Sequence, residues 1–508
     1  MPSLNKTVVT VFFLFYLVLG LFIIKDYGVS WDESIQRTTG LLTHEYVFEG
    51  NDQLLKFPTR FYGTAFEWFL IGAEKLLKIT DDRSVFLMRH TVTFLLFFLS
   101  VIFFYRLARK TFNHWGWGLL GGLLLILNPR IFSHSFYNSK DIAFLSIFII
   151  SIYTLRRLLD KKSYTRVFIH ALVCALLIDI RILGVLVPIL TIVFYGVAIA
   201  QFSKERKSLF LKLVIFVGAF IGFMILFWPI LWQQPVGQIM AAFKQMSQFP
   251  WDGRLLYLGE YFRGTQLPWH YLPVWIAVST PILFLFLSVV GLSLFLKKLL
   301  SSHREGLRDW IIYFCWLVIP LSAVFILNSV VYDAWRQLFF IYPAIVLFAL
   351  CGLRFFWERI IACSKQWLIC VFIFVITLGV FEPLWFMISS HPHQNVYFNY
   401  LAGNSPEKIK ERFELDYWGL SFKQGLEYLL RENPEQKQIN VYVEHWPGIA
   451  NAQFLSELGR ARINIVEATK NADYLITNFR WQSNQYEYPE IYSIKVRGIK
   501  ILAVYQLK

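Results

Sequence analysis

Long apolar runs separated by short polar junctions dominate the chain up to about residue 390. A helix needs roughly 20 apolar residues to cross the hydrocarbon core of a bilayer. The pattern predicts about eleven spans, with an uncertainty of about two because some runs are short. The runs are residues 8–24, 85–105, 115–128, 142–155, 167–180, 183–200, 209–230, 272–296, 310–327, 338–355 and 367–388.

Three polar segments interrupt or follow these runs. Residues 25–84 are too polar to cross a bilayer, and helical apolar spacing within 62–77 predicts amphipathic helices lying in the interface. Residues 231–271 are rich in Trp, Pro, Gly and Gln, which predicts a structured capping or re-entrant loop. Residues 391–508 change to a soluble α/β pattern.

The predicted fold class is therefore an α-helical polytopic membrane protein with a small C-terminal α/β domain. The transmembrane domain covers residues 1–390, and the α/β domain covers residues 391–508. Within the α/β domain, predicted helices cover 421–432 and 451–458. Predicted strands cover 438–444, 463–467, 472–477 and 491–504, and the last of these is a candidate hairpin turning at Arg497-Gly498.

Composition supports this fold class. The chain is 56% hydrophobic and only 16% charged, whereas soluble domains have about a quarter charged residues. A net charge of +15 could indicate a nucleic-acid partner. However, Lys and Arg lie at the ends of apolar runs instead of forming one basic surface, so nucleic acid is not an expected partner.

Every second junction between runs is basic, as at Arg109-Lys110, Lys161-Lys162 and Lys297-Lys298. The positive-inside rule then places the N-terminus in the cytoplasm. An odd number of spans places the C-terminal domain on the opposite face. We therefore predict a multi-pass protein of the cell (inner or plasma) membrane with an extracytoplasmic C-terminal domain.

The first candidate for chemistry is the adjacent pair Asp32-Glu33, just beyond the first run. Two carboxylates at a membrane surface are suited to proton transfer or cation binding. Alternatively, both decorate a solvated loop, or Asp32 caps a helix that begins near Glu33. The sequence alone leaves these interpretations open.

Two further candidates lie at later junctions on the same side. Lys140 and Asp141 close a short polar connection, where Asp141 is also a candidate helix cap. Arg181 lies between two apolar runs with almost no loop, so it has little access to bulk water and is a functional candidate. The alternative for Arg181 is an internal ion pair with Asp179 or with a neighbouring helix.

The last candidates are Tyr332 and Arg336, which precede the tenth run, and His391, at the exit from the eleventh. The Arg336 guanidinium suits forked contact with phosphate oxygens. Interfacial anchoring is the alternative for Tyr332 and Arg336. For His391 and its neighbour His393, interfacial packing is favoured over metal binding.

Sequence motifs of several other enzyme classes do not occur. The sequence has no Gly-rich phosphate loop, no HExxH and no GxSxG. This disfavours a nucleotide-driven transporter and a serine hydrolase.

The order of these features resembles glycosyltransferase family 39, the protein O-mannosyltransferase-like branch of the C-type membrane glycosyltransferases. The related lipid A aminoarabinose transferases share the plan. The resemblance rests on five features in order: the Asp32-Glu33 pair, Asp141 opening a span, WPILWQQP at 228–235 with LPWHYLP at 267–273, Tyr332 to Arg336, and HPHQNVYFNYLAGN at 391–404 followed by DYWGL at 416–420.

The resemblance implies transfer of one sugar from a polyprenyl-phosphate donor to an acceptor hydroxyl on the non-cytoplasmic face. The family's general base is a loop-one Asp, which Asp32 matches. Arg181, Arg336 and Lys140 are then the candidates for the donor phosphate, and Tyr332 and His391 for other substrate contacts. Glu33 and Asp141 would orient the acceptor or the cations.

One departure concerns the acceptor. Protein mannosyltransferases typically carry a β-trefoil domain between later spans, and the sequence has no such stretch. Glycan, lipid and protein acceptors therefore all remain open. No cofactor or resident metal is predicted, although a divalent cation is possible. The alternative functions are a transporter or flippase for a lipid-linked glycan, and a non-catalytic assembly or sensor protein.

Overall fold

The structure is a computed structural model that describes residues 4–247, 249, 251–301, 306–481 and 486–508. Within these residues, nine helices are long and apolar enough to cross a membrane. They are Leu4–Asp26, Asp82–Phe112, Asp141–Asp160, Ile182–Gln201, Ser203–Phe227, Ile282–Leu299, Leu307–Ile326, Arg336–Ala362 and Gln366–Ser389.

Three of the eleven predicted runs differ from simple spans. Residues 115–128 form the helix Trp115–Ile126, which bends by 73° into the helix Pro129–Tyr137. Tyr164–Ile178 is apolar but only 15 residues long. The span predicted over 272–296 is interrupted between Tyr271–Ser279 and Ile282–Leu299, because Pro281 removes a backbone donor. Among the residues that the structure describes, the count of spans is therefore nine, or ten if the bent pair is one span.

Burial separates central spans from peripheral ones. The apolar windows of Asp141–Asp160 and Arg336–Ala362 are 78% and 83% buried within the protein. Those of Ser203–Phe227 and Gln366–Ser389 are 17% and 6% buried, so their apolar side chains suit lipid contact. Two of the candidate site residues, Asp141 and Arg336, are the first residues of these two central spans.

The two predicted outside segments fold as short elements against the bundle. Residues 25–84 contain the helices Glu33–Glu49, Gln53–Lys56 and Ala65–Leu76. Residues 231–271 contain the helix Pro235–Ser247 and an antiparallel hairpin of Arg254–Tyr257 and Glu260–Arg263. Gln248 and Pro250 of this segment lie outside the described residues.

The C-terminal region contains a five-stranded sheet. In spatial order the strands are Ile463–Ile465, Ile439–Val443, Tyr474–Thr477, Ile499–Gln506 and Glu490–Val496. The first three are parallel and the last two pair antiparallel. The helices of this region are Pro406–Arg412, Phe422–Glu432, Trp446–Gln453 and Glu457–Arg462.

The prediction of one helix over 451–458 is wrong, because two helices lie here. Trp446–Gln453 begins five residues earlier, with Pro447 in its first turn, where a missing N–H has no helical partner to lose. The second helix begins after Ser456, whose hydroxyl accepts a hydrogen bond from the Gly459 N–H. The predicted hairpin at Arg497-Gly498 is confirmed by the pairing of Val496 with Ile499.

The C-terminal region packs on the end of the bundle where the first span exits. The Trp31 N–H donates to the Trp418 carbonyl at 3.1 Å. Gly28 lies so close that an added Cβ would be 2.4 Å from Asn451 Oδ1 and 2.7 Å from the Leu420 carbonyl oxygen. Any larger residue at Gly28 would therefore separate the two regions.

The basic junctions gather at the opposite end of the bundle. Asp81, which begins the span Asp82–Phe112, pairs with Arg460 of the C-terminal region at 2.7 Å. At the far end of the same span, Lys110 pairs with Asp160, which also accepts from Arg308 at 2.7 Å. The bundle thus has one basic end and one end covered by the α/β region.

Candidate active site

Seven charged side chains from five separate segments meet where the C-terminal region covers the bundle. We name this group the ion cluster. Its members are Asp32, Lys140, Asp141, Arg181, Asp333, Arg336 and Arg480. Five of the eight residues selected from the sequence belong to it.

Arg336 is the centre of the ion cluster and is only 1% exposed. Its guanidinium contacts Asp141 Oδ2 at 3.0 Å, Asp333 Oδ2 at 3.1 Å and Asp32 Oδ2 at 3.4 Å. The aromatic ring of Trp418 lies 4.7 Å from its guanidinium carbon. Because its donors are committed to three carboxylates, Arg336 is better suited to orient these groups than to bind the donor phosphate predicted for it.

An unusual backbone bend directs Arg336 and Asp333 toward each other. Asp333 and Ala334 are consecutive non-glycine residues with positive φ angles of 55° and 64°. Such conformations cost of order 1 kcal/mol or more each and persist where surrounding contacts hold them. Here the Ala334 N–H donates to the Tyr271 hydroxyl at 3.2 Å.

Asp32 is the partly accessible carboxylate of the ion cluster. It precedes the helix Glu33–Glu49 but makes no side-chain cap hydrogen bond, so the capping alternative is not realised. Its Oδ2 instead accepts from Lys140 Nζ at 3.0 Å, and its side chain is 24% exposed. Burial acts to raise the pKa of Asp32, but the charges of Lys140 and Arg336 outweigh it and lower that pKa.

Asp141 and Arg181 form a second ion pair within the cluster. Arg181 therefore pairs with a neighbouring helix and not with Asp179, whose two carboxylate oxygens have no hydrogen-bond partner among the described residues. Asn138 Nδ2 also donates to Asp141 Oδ2 at 2.9 Å. An added Cβ on Gly63 would be 1.5 Å from the Asp179 carbonyl oxygen, so only glycine allows the first outside segment to approach this junction.

Lys140 is held by an aromatic ring as well as by Asp32. Its ammonium lies 4.6 Å from the ring centroid of Tyr62. Next to it in sequence, the Ser139 hydroxyl donates to Glu67 at 2.5 Å, and Glu67 pairs with buried Arg89. A second polar network of Ser139, Glu67 and Arg89 therefore holds the backbone next to Lys140.

Glu33 does not face the ion cluster. Its Oε1 accepts from the Ser30 N–H at 2.6 Å, and its Oε2 lies 2.8 Å from His90 Nε2. The side chain is only 3% exposed. These contacts suit a role in holding the segment that carries Asp32. They give no geometric support to the prediction that Glu33 orients the acceptor or the cations.

The sequence analysis missed three contributors. Asp333 joins two arginines, because its Oδ1 accepts from Arg480 Nη2 at 2.7 Å while Oδ2 accepts from Arg336. Arg480 also donates to the Tyr417 carbonyl at 2.6 Å. Asn451 hydrogen-bonds the backbone before Asp32. The C-terminal region thus completes the ion cluster through Arg480.

The ion cluster contains four basic and three acidic side chains. With all seven ionised it has one positive charge in excess. Buried charges are favourable only when compensated. An anionic ligand beside Lys140 and Arg181 would supply that compensation.

Two concave spaces adjoin the ion cluster and share Tyr62, Phe249 and Tyr332. One is an apolar groove of about 100 Å³ whose lining includes Arg181. The other is a cavity of about 590 Å³ that Asp32 and Lys140 line. The groove's other lining residues include Ile182, Leu183, Phe243, Val324 and Leu327.

The two remaining predicted residues differ in location. Tyr332 lines both spaces, and its ring lies 4.9 Å from the Arg336 guanidinium. His391 lines neither. Its Nε2 lies 2.9 Å from Asp26 Oδ2 and its ring contacts Tyr27. His391 therefore fits the packing interpretation, and the structure does not bring it to the ion cluster.

No group of three or more His, Cys, Asp or Glu side chains is arranged to hold a metal ion in the described parts of the chain. The three aspartates of the ion cluster are instead neutralised by arginine and lysine. The prediction of no cofactor, with a divalent cation possible, stays a prediction.

Comparison with known proteins identifies the fold. Residues 65–232 match the family model described as dolichyl-phosphate-mannose-protein mannosyltransferase. No curated protein matches the chain. The crystal structure of ArnT from Cupriavidus metallidurans in the apo state is 11% identical, with a TM-score of 0.50 over 99% of this chain and 98% of that chain.

A second ArnT structure from the same organism, bound to undecaprenyl phosphate, is 12% identical over 99% of this chain and 98% of that chain, with a TM-score of 0.48. The resemblance expected from the sequence is confirmed by the family match and by the fold of the apo structure. The chain is thus a multi-pass membrane protein with the fold of the apo ArnT structure, and its residues 65–232 match the dolichyl-phosphate-mannose-protein mannosyltransferase family model.

Proposed function

We propose that this protein transfers one sugar from a polyprenyl-phosphate donor to an acceptor hydroxyl, with Asp32 as the general base. The observation that carries the proposal is the geometry of Asp32. It is a partly exposed carboxylate that lines a large cavity, while Arg181 lines the adjoining apolar groove. The two spaces suit an acceptor and a lipid-linked donor, respectively.

The acceptor half of the reaction requires removal of one proton. As the acceptor oxygen forms its bond to the anomeric carbon, Asp32 accepts the hydroxyl proton. Its lowered pKa keeps Asp32 ionised at neutral pH. The contacts from Lys140 and Arg336 to Oδ2 fix the orientation of the Asp32 carboxylate. A base that is already oriented loses less entropy on reaching the transition state.

The donor half of the reaction breaks the bond between the anomeric carbon and the phosphate oxygen. The leaving polyprenyl phosphate gains negative charge, and cations placed in advance stabilise it. Arg181 and Lys140 line the two spaces and are the proposed phosphate ligands. Arg336 contributes indirectly, by holding Asp32 and Asp141 in place.

The apolar groove fits the proposed donor lipid. Its lining combines aliphatic and aromatic side chains with the single guanidinium of Arg181. A polyprenyl chain would bury apolar surface there, at roughly 25 cal/mol per Å². The matching family is described by dolichyl-phosphate mannose, a donor of this chemical class.

We further propose that the reaction takes place on the non-cytoplasmic face. Lys110 and Arg308 lie at the end of the bundle opposite the α/β region. Basic ends are preferentially cytoplasmic. This orientation keeps the N-terminus in the cytoplasm and gives the ion cluster access to extracytoplasmic acceptors.

The decisive experiment measures release of polyprenyl phosphate by purified protein in lipid, using a panel of labelled polyprenyl-phosphate hexoses and pentoses. Acceptors extracted from the native envelope are included, and each reaction is run with Mg²⁺ and with EDTA. The variants are Asp32→Asn and, as a matched control, Asp52→Asn in the same outside segment. Removing a general base typically slows a reaction by 10²–10⁴-fold.

Release that is lost in folded Asp32→Asn and retained in Asp52→Asn would support the proposal. Release that persists in Asp32→Asn would overturn the assignment of the base and direct attention to Asp141. Absence of release with every donor would contradict transferase activity and favour transport of a lipid-linked glycan. Loss of release in EDTA would show that a divalent cation takes part.

A further inference from the structure

The cavity next to Asp32 has an unusual concentration of aromatic residues. Four tryptophans line it, together with several hydroxyl and amide side chains. The tryptophans are Trp31, Trp251, Trp446 and Trp481, and the polar residues include Ser34, Gln36, Thr38 and Thr59. This mixture differs from the apolar groove, in which aliphatic side chains predominate.

The C-terminal region supplies one side of the cavity. Trp446 begins the helix Trp446–Gln453, and Trp481 follows the strand Tyr474–Thr477. These indoles are 46% and 42% exposed, although exposed tryptophans on a soluble domain lose favourable burial. Their exposure into a cavity that also holds the proposed base indicates a binding role.

Arg480 fixes this aromatic side. Its guanidinium carbon lies 4.7 Å from the ring of Trp31 and 5.0 Å from the ring of Trp481. The two indoles meet edge-on at 5.6 Å, and the Trp481 indole N–H donates to the Arg254 carbonyl at 3.2 Å. Arg480 is itself held by Asp333, so the aromatic side is joined to the ion cluster.

A second part of the cavity lining is also aromatic. Trp251 stacks on Tyr332 with ring centroids 4.5 Å apart and planes inclined by 12°. Tyr332 is shared with the apolar groove. The stacked pair of Trp251 and Tyr332 therefore lies where the cavity adjoins the apolar groove.

A saccharide matches these surfaces. The C–H faces of a pyranose stack on indole rings, and its hydroxyls exchange hydrogen bonds with hydroxyl and amide side chains. A lipid chain would offer no hydrogen bonds to the polar side chains of the lining, although Thr38 and Thr59 already have partners within the protein. The charge of Arg480 is already neutralised by Asp333, so a ligand on the aromatic side does not need an anionic group.

We propose that Trp446 and Trp481, with Trp31 and Arg480, form a subsite for a saccharide acceptor. The proposal rests on the transferase function proposed above, because the bound sugar presents its hydroxyl to Asp32. It assigns the C-terminal region the role of selecting a glycan over an unglycosylated peptide. Trp446 and Trp481 contact the acceptor, whereas Arg480 positions the indoles.

The test uses the full-length protein and the single variants Trp446→Ala and Trp481→Ala. The control is Trp269→Ala, because Trp269 is 75% exposed in the outside segment 231–271 and does not line the cavity. The probes are mannose-, galactose- and N-acetylglucosamine-terminated oligosaccharides and a Ser/Thr peptide without sugar. Trp481→Phe retains a ring and serves where the alanine variant does not fold.

Two measurements distinguish binding of the saccharide at the subsite from the transfer reaction. Saturation-transfer NMR measures saccharide binding without donor, and steady-state transfer gives kcat and KM for the acceptor. Stacking on an aromatic ring contributes about 0.5–1.5 kcal/mol, so we expect KM for the saccharide to rise about 2- to 13-fold in each alanine variant.

Each outcome decides the proposal. Transfer to saccharides with raised KM in both alanine variants and an unchanged control supports it. Unchanged KM in the variants, transfer to the peptide as efficient as to saccharides, or no saccharide binding at all overturns it. Saccharide binding that depends on both tryptophans, in a protein that cleaves no donor, supports the subsite while contradicting the transferase function.

Discussion

Asn451 of the C-terminal region forms two hydrogen bonds with the backbone of Val29, three residues before Asp32. Its Oδ1 accepts from the Val29 N–H at 2.9 Å, and its Nδ2 donates to the Val29 carbonyl at 2.9 Å. Both residues are buried. The soluble region therefore fixes the backbone that carries the proposed base, which gives it a direct structural link to catalysis.

Replacing Asn451 should uncouple the C-terminal region from Asp32. Asn451→Ala leaves a buried N–H and C=O of Val29 without their side-chain partner, which costs about 1–3 kcal/mol. We expect kcat to fall at least tenfold with little change in donor KM, because the base loses its orientation. Asn464→Ala is the control, since Asn464 bonds Asn440 at the edge of the sheet. Equal rates for the two variants would contradict this link.

Glu33→Gln should separate the two adjacent carboxylates by function. Its partners are the Ser30 N–H and His90, so the main loss is in stability. We expect a lower thermal midpoint in detergent, with kcat reduced less than in Asp32→Asn. Thermal unfolding and polyprenyl phosphate release measured on the same samples test this expectation. A Glu33→Gln protein with wild-type stability and no turnover would instead indicate a direct role for Glu33 in the reaction.

Lys140→Met should move the acidic limb of the pH–rate profile. Lys140 and Arg336 lower the pKa of Asp32 against the opposing effect of burial. Removing Lys140 raises that pKa, so Asp32 becomes protonated, and activity is lost, at a higher pH than in the wild type. The profile of kcat/KM against pH measures the shift. Lys56→Met, in an exposed position of the same segment, should leave the limb unchanged.

The sequence predicted those features that follow from local pattern. Apolar run length gave most spans, and the alternation of basic junctions grouped Asp32, Lys140, Asp141 and Arg181 at one end of the bundle. The structure brings these four into ion-pair contact. Polar residues at consecutive outside junctions of a compact bundle must lie at the same end of it. The prediction that these four residues are neighbours therefore rested on topology.

The sequence did not predict the partners that depend on three-dimensional packing. Asp333 acts through a left-handed backbone bend that no local motif marks, and it meets Arg480 across 147 residues of sequence. The pairing of Arg336 with three carboxylates likewise arises only when separate helices assemble. Its predicted role in phosphate binding followed from guanidinium chemistry alone, which does not identify the partner.

The last prediction concerns Glu414, a buried carboxyl near Arg480 and Asp333. Burial raises the pKa of Glu414 from 4.5 to about 8; Arg480 lowers it in part, and Asp333 raises it further. The folded protein therefore keeps a proton that the unfolded chain loses near pH 4.5. The contribution of protonated Glu414 to the free energy of unfolding is therefore complete below pH 4.5 and is lost as pH rises toward about 8.

Glu414→Gln should remove this pH dependence. The wild-type free energy of unfolding should fall by up to about 1.4 kcal/mol per pH unit across this window, whereas the variant stays neutral and should show a flatter profile. Glu407→Gln, at an exposed position of the helix Pro406–Arg412, is the matched control. Thermal midpoints measured from pH 5 to 8 decide the matter, since parallel profiles for wild type and Glu414→Gln would mean that Glu414 is ionised in the folded protein.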